Sequence, residues 1–146
     1  MEAKKIIITG AATRIGAAIA KSLANFNIKI LLHYNKSSVE VKKLKISLEE
    51  LGAEVFLIKA DLNKTNETKK IIPYAYKMMK GIDCLINNAS IFENDNIENF
   101  EEKGFDKHLN INLKSPALLS KDFFKYIKKN KGCLLYTSPS PRDGLL

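Results

Sequence analysis

Apolar and polar positions along the chain fall into two alternating patterns. Short runs rich in β-branched residues have strand composition: Lys5-Ile6-Ile7-Ile8, Ile28 to Tyr34, Ala53 to Ile58 and Ile82 to Ile86. Between them lie stretches of helical character. Ala17 to Leu23 is Ala-rich and amphipathic. Val39 to Leu51 brings Val41, Leu44, Leu48 and Leu51 to helical spacing, and Gly52 closes it as a C-terminal signal. Thr65 to Lys80 carries Pro73, which predicts a kink or break because proline has no amide hydrogen to donate. Glu93 to Phe100 is polar and reads as a surface loop. From Glu101 onward the pattern is helical again, through Phe105, Leu109, Leu113, Leu118, Leu119, Phe123, Phe124 and Ile127. Strand–helix alternation predicts an α/β fold with a doubly wound parallel sheet, here about four strands and five helices before the pattern ends.

The first strand–helix junction is Thr9-Gly10-Ala11-Ala12-Thr13-Arg14-Ile15-Gly16. Gly10 lets the chain turn tightly off the strand, and Gly16 lets the helix pack close to the sheet. The helix start then offers unpaired N–H groups and a partial positive charge to a phosphate. In dinucleotide-binding, Rossmann-type sheets this junction binds the pyrophosphate. A cation there is unfavourable without an anion nearby, so Arg14 points to one; an exposed helix start is the plainer reading. At the end of the second strand an acidic residue would take the adenosine ribose and select NAD. This chain has none there. Asn35, Lys36 and Ser37 instead offer donors and positive charge to a 2′-phosphate, which argues for NADP(H). Ser37 or Ser38 also suits a helix N-cap, and the two readings are compatible.

Thr9-Gly10-x-x-x-Arg14-x-Gly16 resembles the Thr-Gly-x-x-x-Gly-x-Gly turn of the short-chain dehydrogenase/reductase family. Arginine replaces the middle glycine, as in the pteridine-reductase-like branch, where it lies along the cofactor phosphates and the substrate edge. The loop after the second strand is similar to that of the same branch, which prefers NADPH. Ala60-Asp61-Leu62 resembles the family's acidic residue after the third strand, whose neighbourhood holds the adenine ring; a turn residue is the alternative for Asp61. Asn87-Asn88-Ala89-Ser90, followed by Ile91-Phe92, looks like the branch's variant of Asn-Asn-Ala-Gly, with the small residue admitting the nicotinamide ribose. Ile111-Asn112-Leu113 resembles the family's helix asparagine, which perturbs the helix and completes a proton relay with the catalytic lysine. Pro116 supports a local disturbance there, and a surface-facing asparagine is the alternative. The resemblance covers residues 4 to about 131. It implies cofactor contacts from Gly10, Arg14, Ile15, Gly16, Asn35, Lys36, Ser37, Asp61, Leu62, Asn88, Ala89 and Ser90, and a catalytic role for Asn112. It also implies a small-molecule carbonyl or pteridine substrate. The parent is expected to be a homo-oligomer, dimer or tetramer, paired through the apolar helix after Glu101.

Composition narrows the picture little. A chain of 146 residues allows one domain with a real core, and 45% hydrophobic with 27% charged residues is ordinary for a soluble chain. No apolar run reaches membrane-spanning length and no secretion signal is evident, so a cytoplasmic protein without membrane partners is expected. The net charge of +8 raises the question of nucleic acid. The lysines are spread through helical segments such as Val41 to Lys45, and no basic run is interleaved with stacking aromatics, so no nucleic-acid partner is expected. Cys84 and Cys133 make neither a disulfide framework nor a metal site.

The family's catalytic serine and its Tyr-x-x-x-Lys pair should follow a fifth strand. Tyr126 is followed by Ile127-Lys128-Lys129-Asn130, and no lysine follows Tyr136, so neither tyrosine is assigned as proton donor. The run from Cys133 to Asp143 looks like the translation of a transposase-type sequencing adapter; a genuine Ser/Pro tail is the alternative. The expectation is that residues 1–132 are an NADP(H)-binding Rossmann half and residues 133–146 a non-native read-through tail. Leu134 to Thr137 has strand-forming residues where the fifth strand belongs. The expected function of the parent is NADPH-dependent hydride transfer to a carbonyl or a pteridine C=N, with the present chain inactive. A catalytically degenerate NADP(H)-binding module, and a 3-oxoacyl or sugar-type carbonyl reductase, are the competing readings. Arg14 and Asn88-Ala89-Ser90 favour the pteridine.

Overall fold

The structure, a computed structural model, describes residues 3–94, 96–127 and 132–136. The elements run β1 (Lys4–Ile8), α1 (Arg14–Leu23), β2 (Ile28–Tyr34), α2 (Ser38–Glu50), β3 (Glu54–Lys59), α3 (Thr65–Thr68), α4 (Ile71–Met79), β4 (Cys84–Asn87), α5 (Glu102–Leu109), α6 (Ser115–Tyr126) and β5 (Cys133–Tyr136). The sheet is parallel throughout, in the order β3-β2-β1-β4-β5. The chain therefore steps outward from β1 in one direction and then, from β4, in the other. In such sheets the crevice outside the carboxyl ends of the strands at this reversal is the ligand position.

Two apolar layers flank the sheet. Ile7 of β1 points into one, with Leu31, Leu85, Ile71, Ile72, Leu119 and Phe123. Its neighbours Ile6 and Ile8 point into the other, with Ile30, Leu32, Ile86, Ala20, Val41, Leu44 and Leu48. Burial on both faces is why these strands read as continuous apolar runs rather than as alternating ones. Each fully buried Ile or Leu contributes roughly 1.5–3 kcal/mol, so the sheet centre holds the site rigidly in place.

Three sequence expectations take definite form here. The helix expected over 65–80 is broken in two, α3 and α4, at Lys69–Lys70. Pro73 sits in the first turn of α4, where its missing amide hydrogen costs no intrahelical bond. The long helix from Glu101 is interrupted by a π-helical turn, Asn110–Lys114. The Ser115 amide reaches back five residues to the Asn110 carbonyl, and Pro116 has no N–H to give to the Asn112 carbonyl four residues before it. Lastly, β5 lies beside β4 with Cys84 opposite Cys133 and Asn87 opposite Tyr136, and all four of its residues are exposed. The rest of the tail expectation, residues 137–146, and the Lys128-Lys129-Asn130 spacing after Tyr126 lie outside the described residues. Among the described residues, no helix is long and apolar enough to cross a membrane.

Candidate functional site

At the carboxyl end of β1 the chain enters Thr9, buried and bonded on every side. Its amide donates to the Ile86 carbonyl at 3.0 Å, and its hydroxyl donates to the same carbonyl at 3.4 Å. That hydroxyl also accepts the amides of Asn88 and Ala89, each at 3.0 Å. The Asn88 side-chain amide returns the contact, donating to the carbonyls of Thr9 at 2.9 Å and Gly10 at 3.1 Å. The turn after β1 and the loop after β4 are thereby one locked unit. Both glycines are required by it. Gly10 has φ +61°, and a Cβ there would stand 2.8 Å from the Ala89 Cα. A Cβ on Gly16 would stand 2.3 Å from the Gly10 carbonyl oxygen and 2.6 Å from the Asn88 Nδ2.

The lock has a third member that the sequence reading passed over as a strand residue. His33, at the end of β2, is 2% exposed. Its Nδ1 accepts the Gly10 amide at 3.2 Å, which makes Nε2–H the donor to the Ala60 carbonyl at 3.0 Å. The His33 carbonyl takes the next amide of the turn, Ala11 N–H, at 3.0 Å. Burial pushes the imidazole down to about 4, against smaller opposing effects of the Ala60 carbonyl and the Asp61 charge, so the ring is neutral at physiological pH. The only sequence signal for this was a polar ring closing an apolar run beside a glycine turn.

The head of α1 completes the site. Its first intrahelical bond is Ala17 N–H to the Thr13 carbonyl at 3.3 Å, so the amides of Arg14, Ile15 and Gly16 precede any intrahelical acceptor. No acidic residue stands in the first turn, and among the described residues Thr13 makes no side-chain cap bond. This helix start attracts an anion and supplies none of its own. It opens into a cleft of about 350 Å³. Of the predicted cofactor residues, Gly10, Arg14, Ile15, Gly16, Asn35, Leu62, Asn88, Ala89 and Ser90 line it, joined by Thr13, His33, Ile91 and Ile111. Lys36, Ser37 and Asp61 are not among the lining residues. Lys36 is exposed beside Asn35, and the Ser38 amide bonds its carbonyl at 2.8 Å. Ser37 is the N-cap of α2 through its carbonyl, which accepts the Val41 amide at 3.1 Å. Asp61 forms a turn: its Oδ1 accepts the Asn63 amide at 3.0 Å and its carbonyl the Lys64 amide at 2.9 Å.

Asn112 faces the loop after β4 rather than solvent. Its Oδ1 accepts the Ile91 amide and its Nδ2 donates to the Ile91 carbonyl, both at 2.9 Å. Two residues on from Ile91, His108 Nε2 accepts the Glu93 amide at 3.0 Å, and Lys107 pairs with the Glu93 carboxylate. The loop that lines the cleft is thus held down by the α5 end and the π-helical turn. Tyr136 Oη donates at 2.6 Å to the Asn112 carbonyl, the one that Pro116 leaves without its helical donor. Cys84 offers no nucleophile, because burial and the neighbouring Cys133 push its thiol up to about 12. Among the described residues no group of three His, Cys, Asp or Glu is placed to hold a metal ion.

Comparison with known proteins gives the arrangement its kin. An uncharacterized oxidoreductase of Thermotoga maritima is 33% identical over 146 residues, which is 99% of this chain and 56% of that protein. A short chain dehydrogenase of Burkholderia cenocepacia J2315, solved in complex with NADP, superposes with a TM-score of 0.87 at 26% identity, over 92% of this chain and 55% of that one. The FolM alternative dihydrofolate reductase 1 of Brucella suis, also in complex with NADP, gives 0.82 at 27% identity, over 90% and 55%. The chain thus spans about half the length of the relatives it matches. Residues 4–139 match the family model of the short chain dehydrogenase, from β1 through the glycine turn, the Asn88 loop and β5, and the chain belongs to that family.

Proposed function

We propose that the parent protein is an NADP(H)-dependent oxidoreductase that moves a hydride between the nicotinamide and a carbonyl or pteridine C=N bond. The observation that carries this reading is the carboxylate-free head of α1, locked to the Asn88 loop in one cleft at the reversal of the sheet. The residues present fit a dinucleotide. At Gly10 and Gly16 any side chain would strike the neighbouring backbone, and among the described residues the head of α1 has neither an acidic residue in its first turn nor a side-chain cap bond. Arg14 and the amides of Ile15 and Gly16 would hold the diphosphate, Asn35, Lys36 and Ser37 the 2′-phosphate, and Asp61 and Leu62 the adenine side. Asn88, Ala89 and Ser90 would border the nicotinamide ribose. A bound nicotinamide supplies or accepts the hydride. Asn112 fixes the loop through Ile91 and belongs to the proton relay of the complete enzyme. NADP complexes among the similar structures support the cofactor, and the dihydrofolate reductase name of the Brucella suis protein supports a pteridine.

Residues 1–132 constitute the NADP(H)-binding half, and residues 133–146 a read-through tail that leaves this chain without turnover. Re-sequencing the locus beyond Gly132 tests that division; a reading frame that encodes 133–146 in the organism's own DNA rejects it. The parent is cytoplasmic and pairs with copies of itself through the exposed Phe105, Leu109, Leu113 and Phe124 of α5, the π-helical turn and α6. Cofactor choice has a direct test. Lys36→Asp removes a cation and adds a charge that repels a 2′-phosphate, so the preference for NADPH over NADH should fall at least about tenfold, the value of one charged hydrogen bond. An unchanged NADPH to NADH affinity ratio in fluorescence titrations would reject the placement.

A further inference from the structure

We propose that His33 is a positioning residue that sets which backbone amides of the glycine turn face the ligand. The inference rests on the dinucleotide reading above and goes past it. A tight turn at a strand end has several amides competing for one anion. Here two of them are withdrawn: Gly10 N–H is held by the His33 ring at 3.2 Å and Ala11 N–H by the His33 carbonyl at 3.0 Å. The clamp leaves the amides at the head of α1, where Arg14 also lies, to the anion. The ring cannot drift, because its other nitrogen donates to the Ala60 carbonyl beyond β3, at 3.0 Å. One side chain thus ties the carboxyl ends of β1, β2 and β3 together. It needs an acceptor at the δ position and a donor at the ε position, which is one tautomer of neutral histidine. His33 is also among the residues that line the cleft.

Two substitutions separate its halves in the full 146-residue chain. In His33→Asn the side-chain oxygen replaces Nδ1 and can accept from Gly10; in His33→Gln the side-chain amide replaces Nε2 and reaches only Ala60. The expected result is that H33N keeps the Gly10 amide protected from hydrogen exchange and binds NADPH within about threefold of the parent chain. H33Q should lose that protection and bind NADPH at least tenfold more weakly, with thermal midpoints of the two variants alike. A Gly10 amide equally protected in H33Q, or NADPH binding lost as far in H33N as in H33Q, would overturn the proposal. The exchange measurement is made without cofactor. A chain that fails to bind NADPH at all therefore sinks the dinucleotide reading, while Gly10 protection still decides the role of His33.

Discussion

Arg14 has φ +52°, the left-handed region that costs a side chain about 1–2 kcal/mol. The family pattern has glycine at this position, so the arginine is held in a glycine's conformation at the mouth of the cleft. Strain of this kind persists where the surroundings and a function both require it. Arg14→Gly relieves it and, in exchange, loosens the unfolded chain by about 0.5–1 kcal/mol. The thermal midpoint should therefore hold or rise slightly. NADPH affinity should fall at least tenfold, because a charged hydrogen bond to a phosphate contributes about 1.5–3 kcal/mol. A falling midpoint with unchanged affinity would show Arg14 to be merely structural. At this scale the sequence was informative where backbone geometry restricts residue type. Gly10 and Gly16 were legible because no other residue fits their contacts. His33 was not, since its role depends on Ala60, 27 positions away, and on which ring nitrogen carries the proton.

The π-helical turn shows how an element's irregularity serves the loop beside it. Widening one turn at Asn110–Lys114 accompanies the seating of Asn112 against Ile91, where both its amide atoms pair with that residue's backbone. Asn112→Leu keeps the volume and removes both bonds, leaving a half-buried N–H and C=O at Ile91, at a cost of about 1–3 kcal/mol. The Ile91 amide should then exchange markedly faster, while amides of the α6 core around Leu119 keep their protection. Unaltered exchange at Ile91 would mean that His108 and Lys107 suffice to hold the loop. Asn112 and Pro116 together made this irregularity legible, as Pro73 did the break between α3 and α4. Element ends were less so. Ile82 and Asp83 read as strand, yet β4 begins at Cys84: the Asp83 amide donates to the Lys5 carbonyl at 2.8 Å, but the Lys5 amide is taken at 2.9 Å by the Asp83 carboxylate, and the backbone ladder starts only beyond that pair. Composition cannot show that a side chain will take a strand amide.

Across the whole molecule, periodicity gave strands and helices but not the order in which the strands pair. Ile7 meets Leu85 and Leu31 through crossovers whose direction is fixed by packing on both faces, information that is spread over the entire chain. That shared sheet also makes one buried ring a determinant of global stability. His33 titrates near 4 in the folded protein and near its ordinary 6.5 when unfolded. As pH falls below about 6.5 the unfolded chain takes up the proton first, so the stabilisation is complete above that pH and is lost progressively down to about 4. The difference amounts to about 3 kcal/mol. Glu67 and Glu93 act in the same sense at lower pH. The Asp61 amide and Lys64 hold Glu67 below the ordinary carboxylate range, and Lys107 holds Glu93 there. Both carboxylates remain in a His33→Asn variant, so their effect cancels when the two proteins are compared. Thermal midpoints measured from pH 7 to 4.5 should fall steeply for the parent chain and much less for H33N. Parallel curves would show that the histidine is either charged in the fold or reached by solvent, and the three strand ends would then have to be held by backbone bonds such as Ala11 N–H to the His33 carbonyl and Ala60 N–H to the Tyr34 carbonyl.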